Sequence, residues 1–61
     1  MIYENVEKYA KKRGLSIAKL EIQANLSNGT IGKWRKYTPK IESLSKVAKV
    51  LNVKVDTLIK E

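Results

Sequence analysis

Four basic side chains and no acid fall within the eight residues Lys33-Trp34-Arg35-Lys36-Tyr37-Thr38-Pro39-Lys40. Just ahead of them stand Asn28, Gly29, Thr30 and Gly32, whose side chains are short or absent. Such a pattern suits recognition chemistry. Asparagine can pair with two edge atoms of adenine, lysine can reach guanine, and neighbouring bases can hold phosphates. Covalent chemistry has poorer material. There is no His and no Cys, and the six carboxylates, Glu4, Glu7, Glu21, Glu42, Asp56 and Glu61, are scattered singly. Glu4 and Glu7 could share a helix face, but two acids near a helix start read as surface charges that complement its dipole. The expectation is a binding protein and not an enzyme. The absent thiols and imidazoles also exclude disulfide bridges and the usual zinc sites, and no cofactor or metal is expected.

A chain of 61 residues is expected to form one small domain, residues 1–61, around a single modest core with no room for a small-molecule cavity. Its 13 Lys and Arg against 6 Asp and Glu give a formal charge of +7, which points to a polyanionic partner, nucleic acid ahead of an anionic membrane. The excess is uneven. Residues 1–31 carry five bases against three acids, whereas residues 32–61 carry eight against three. No apolar run approaches the roughly 18 residues of a membrane span, and MIYENVEK is too polar for a signal peptide, so the expected compartment is the cytoplasm.

The elements that must carry these side chains read as helices. Ile2, Tyr3, Val6, Tyr9 and Ala10 recur at helical spacing over 2–13, with Lys11, Lys12 and Arg13 late and Gly14 placed for a left-handed residue after the helix end. Leu15 can then fold back on the cap. Ser16 is the expected N-cap of a second helix from Ile17 to about Gln23, and Asn25, which tolerates positive φ, makes Ala24-Asn25-Leu26 a tight turn. Ser27 is the expected N-cap of a third helix, Asn28 to about Lys36, with Leu26 and Ile31 at the spacing of a hydrophobic staple. On that helix Ile31 and Trp34 face inward, while Gly29, Gly32, Lys33 and Lys36 lie roughly opposite. Two glycines there lower helix propensity by about 1 kcal/mol each, so a smooth face open to close approach is the better reason for them.

Pro39 marks a connector. Ile41, Leu44, Val47, Ala48 and Leu51 then define a fourth helix from about Lys40, and Val55, Leu58 and Ile59 a short fifth, ending near Lys60. Asn25-Leu26-x-x-x-Thr30-Ile31 is echoed by Asn52-Val53-x-x-x-Thr57-Leu58, which reads as two helix-turn-helix corners with the same capping needs and not as a repeat. A helix, a tight turn and a polar-faced second helix match the geometry needed to dock in a DNA major groove.

The stretch Ser16 to Trp34, SIAKLEIQANLSNGTIGKW, resembles the Cro/phage-repressor (XRE) helix-turn-helix family, whose pattern is roughly LSxxxLAxxxGVSxxxIS. Leu15, Ser16, Leu20, Leu26, Ser27 and Ile31 meet it, and residues 39–59 look like the family's last two helices. The resemblance implies an all-α, five-helix, lambda-repressor-like fold and a sequence-specific regulator of double-stranded DNA, a Cro-like repressor acting as a homodimer on an operator. Asn28, Gly29, Thr30, Gly32 and Lys33 match its base-facing positions. Ser16, Ser27, Arg35, Lys36, Tyr37 and Lys40 are the expected phosphate contacts, and Val50 with Val53 to Ile59 the source of a dimer surface. Ile17 stands where the family often has Gln, Asn25 where it has Gly, and Gly32 where it has Ser. Glu21 stands in place of a buried Ala, which leads one to expect a looser contact between the second and third helices. An antitoxin-like or anti-repressor module that meets an acidic protein through the same fold stays open as an alternative.

Overall fold

The computed structural model describes residues 1–60, and Glu61 lies outside the described residues. Helix α1 runs Ile2–Lys12, α2 Ile17–Gln23, α3 Ile41–Leu51 and α4 Val55–Ile59, with a short 3₁₀ helix at Gly32–Arg35 between α2 and α3. The expected five α-helices are thus four and a 3₁₀ helix among the described residues. None is long and apolar enough to cross a membrane.

Left-handed residues close three of the helices. At the end of α1, Gly14 has φ +70, its N–H donates to Lys11 O (3.0 Å), and the Leu15 N–H donates to Ala10 O (2.9 Å). Asn25 (φ 59) and Asn52 (φ 57) repeat the arrangement after α2 and α3, with Leu26 N–H on Glu21 O (2.8 Å) and Val53 N–H on Ala48 O (3.0 Å). Each closure satisfies carbonyls that a helix end leaves unpaired, and brings an apolar residue back onto the helix. The sequence echo between Asn25 and Asn52 therefore has its cause in capping.

The core gathers Tyr3, Val6 and Ala10 of α1, Leu20 of α2, Ile31 and Trp34, Leu44, Val47, Ala48 and Leu51 of α3, and Leu58 of α4. Two polar side chains of α1 and its C-terminal cap clip this bundle together. Asn5 Nδ2 donates to Leu58 O (2.8 Å) and to Lys60 O, and Arg13 Nε donates to Leu51 O (3.3 Å). These donors reach the carbonyl-rich ends of α4 and α3, where partial negative charge accumulates. Helix α1 also packs against the 3₁₀ helix, and the outer side of the Ser27–Lys40 segment stays exposed.

Candidate nucleic-acid interface

Between Asn28 and Ile31 the chain makes successive turns, and only then tightens into the 3₁₀ helix Gly32–Arg35. The regular α-helix expected from Asn28 to Lys36 is not formed. Its physical reason lies at Gly29, whose φ of +89 cannot belong to a right-handed helix. A second reason is Glu21. This residue is 3% exposed, the one charged residue buried among the described residues, and its Oε1 accepts the Gly29 N–H (3.1 Å) while Oε2 accepts the Ile31 N–H (2.8 Å). Glu21 thereby does the work expected of Ser27, whose side chain makes no hydrogen bond among the described residues. The looser contact expected from Glu21 is corrected as well, because the carboxylate ties α2 directly to the following segment.

A 3₁₀ helix turns about 120° per residue, so side chains three apart line up. Ile31 and Trp34 form the inward line, 0% and 6% exposed. Lys33 and Lys36 form an outward one, both exposed. Arg35 shares the third line with Gly32 and turns toward α1. There its guanidinium lies over the Tyr3 ring (4.5 Å to the centroid) and donates from Nη2 to Tyr3 Oη (2.9 Å). That hydrogen bond to Tyr3, with the nearby Glu7 carboxylate, raises the Arg35 pKa above its already high ordinary value.

Two shallow grooves flank the segment. One, of about 340 Å³, brings together Thr30, Lys33, Tyr37 and Lys40 with Trp34, Thr38, Pro39 and Ser43. The other, of about 210 Å³, is lined by Arg35, Lys36 and Tyr37 with residues of the chain start. Trp34, Tyr37, Thr38 and Pro39 belong to both. Asn28, Gly29 and Gly32 are exposed but line neither groove, and both glycines present open space where a Cβ would stand. Ser16 sits apart as the N-cap of α2, its Oγ accepting the Lys19 N–H at 3.1 Å. Ser27 is exposed at the entry to the segment.

Two contributors escape a reading of residue types, Glu21 and Tyr3. For Glu21 a signal was present, since Ile17, Leu20, Glu21 and Ala24 share the inward side of α2 at helical spacing, and a carboxylate there needs buried donors. The Tyr3–Arg35 pair spans 32 residues and has no local signature.

The pattern of the Cro/C1-type HTH DNA-binding domain matches residues 5–60. No curated protein matches the chain. Among solved structures, the N-terminal DNA-binding domain of SinR from Bacillus subtilis is similar at 31% identity and a TM-score of 0.91, covering 100% of this chain and 93% of that one. SinR, the master regulator for biofilm formation, in complex with DNA is 30% identical over 98% of this chain and 100% of that one, with a TM-score of 0.90. The SinR/SinI protein complex is similar too, at 33% identity and a TM-score of 0.92, over 100% of this chain and 62% of that one.

Proposed function

Since the chain belongs to the Cro/C1-type helix-turn-helix DNA-binding family, we propose that it is a sequence-specific transcriptional repressor that reads operator DNA through the segment Ser27–Lys40. One observation carries this reading. Ile31 and Trp34 are buried, so the same few residues that anchor the segment turn Asn28, Gly29, Gly32 and Lys33 outward beside Lys36 and Lys40. Asn28 and Lys33 are assigned to base edges, Thr30 to a thymine methyl or phosphate, and Gly29 and Gly32 to close approach of the backbone. Arg35, Lys36, Tyr37 and Lys40 hold phosphates on the rim, with Ser16 and Ser27 as further phosphate contacts. Stacking on Tyr3 fixes the Arg35 guanidinium before DNA arrives, which lowers the ordering cost of a phosphate contact. The chain acts in the cytoplasm and as one domain, without cofactor or small-molecule ligand.

The base-facing residues all lie between Asn28 and Lys33, a stretch that reaches only a few base pairs. Such a short reader supports a homodimer on two half-sites. In the segment expected to supply the dimer surface, Leu58 is wholly buried and Val50, Val53 and Val55 pack on the core, while Ile59 stays 47% exposed. Selection of bound duplexes from a random pool tests the function directly. A dimer neutralising about six to ten phosphates should also lose about 10³ to 10⁵ in affinity between 50 and 200 mM salt. A best duplex that exceeds random DNA by less than about tenfold at physiological salt would defeat the repressor reading. A second reading, an antitoxin-like or anti-repressor module that meets an acidic protein, is favoured by the likeness to SinR in its complex with SinI. It predicts partner binding that resists competition by DNA.

A further inference from the structure

We propose that Glu21 is a positioning residue for sequence recognition: its buried carboxylate fixes the backbone that presents Asn28, Gly29 and Thr30, and sets base preference without touching DNA. The proposal rests on the DNA-reading function above. Its ground is the matching of two acceptors to two donors. Oε1 takes the Gly29 N–H at 3.1 Å and Oε2 the Ile31 N–H at 2.8 Å, so the carboxylate brackets Thr30 and holds Gly29 in its left-handed conformation. The site is built for a carboxylate and no other group. Glutamine would offer one acceptor oxygen and turn an NH₂ toward the second N–H, donor against donor. Aspartate keeps both oxygens but is one methylene short. The chain follows no regular α-helix at this point, so these two bonds fix a path that helical hydrogen bonding would otherwise define.

Charge and position predict opposite signs here, which makes the idea testable. Removing an acid from a chain of net charge +7 should tighten binding to all DNA through the phosphates. Loosening the reader should weaken only the preferred duplex. The experiment compares wild type, E21Q and E21D on the duplex that wild type selects from a random pool and on a random-sequence duplex of equal length. Affinities are taken at a temperature where circular dichroism shows each variant folded, and amide exchange is followed by NMR. For E21Q, exchange at Ile31 should rise about tenfold while Val6 and Leu51 keep their protection, and the selected-to-random affinity ratio should fall about fivefold or more, with random DNA bound equally or more tightly. E21D, which keeps the charge and shortens the reach, should lose preference without the gain on random DNA. A folded E21Q whose ratio stays within about twofold of wild type overturns the proposal, as does an equal loss on both duplexes. A wild type that prefers no duplex removes the DNA-reading premise, and this proposal with it.

Discussion

Gly29 and Gly32 offer a matched pair in which space is held constant and backbone conformation is varied. A Cβ built on either would meet nothing within 4 Å, so neither Gly29→Ala nor Gly32→Ala creates a clash inside the protein. Gly29, however, has φ +89, where an L side chain is strained, and alanine there should cost about 1–2 kcal/mol. Gly32 has no positive φ, and alanine in a helical position should gain about 0.5–1 kcal/mol through the reduced entropy of the unfolded chain. For a domain this small, 1 kcal/mol moves Tm by about 4–8 °C, so G29A should melt about 4–16 °C lower and G32A about 2–8 °C higher than wild type. DNA binding then separates stability from recognition. If Gly32 lets the backbone approach the groove, its new methyl should weaken the preferred duplex by about tenfold, or 1.4 kcal/mol, in a protein made more stable. Thermal melts followed by circular dichroism and titrations of a labelled duplex read both effects. A G32A variant that melts lower than wild type, or shifts of equal size and sign at the two positions, would refute the conformational argument. A more stable G32A that binds DNA as wild type does would refute the close approach.

Lys33→Ala should cost about 1–3 kcal/mol on the preferred duplex and relax its sequence preference, whereas Lys40→Ala should weaken all DNA alike and reduce the salt slope by about one; equal losses on specific and random duplexes for both would remove Lys33 from base reading. Ile59→Lys should leave the melting temperature within a few degrees of wild type, because the side chain is 47% exposed, while shifting the sedimentation equilibrium toward monomer and weakening a two-half-site duplex more than a single half-site. An unchanged equilibrium would place the dimer contact elsewhere.

The helices and their ends were readable because they depend on local rules. Ser16 caps α2, Gly14, Asn25 and Asn52 take positive φ, and Leu44, Val47, Ala48 and Leu51 face the core at helical spacing. Trp34 was legible as core for the same reason, three residues from Ile31. What local spacing could not supply was the form of the Asn28–Lys36 segment. Its two glycines read as a smooth face on an α-helix, when one of them is instead the residue that prevents that helix. Ser27 read as a cap because serine usually is one there, but a carboxylate eight residues upstream reaches Gly29 first. Nor does any pattern within one element announce that Arg35 lies on Tyr3. Tertiary hydrogen bonds overrule propensity where propensity is weak, and a glycine-rich stretch is where it is weakest.

The reading segment is too short to hold its own shape. A four-residue 3₁₀ helix has little cooperative stability. Left free, the roughly ten residues from Ser27 to Lys36 would each lose about 1–2 kcal/mol of backbone entropy on meeting DNA, a burden comparable to an entire specific binding free energy. Three anchors remove most of that burden in advance. Ile31 and Trp34 enter the core, Glu21 fixes the front end from α2, and Tyr3 fixes the far end through Arg35 from α1. Each anchor comes from a different part of the fold, so the rigidity of the reader is a property of the assembled bundle. Loss of any one anchor should then act first on discrimination between sequences. Phosphate attraction tolerates a loose segment, since charge acts over several ångströms, whereas hydrogen bonds to base edges require fixed geometry. The exposed lysines can therefore supply affinity, but preference for one sequence must come from the few residues that the core, α1 and α2 hold still.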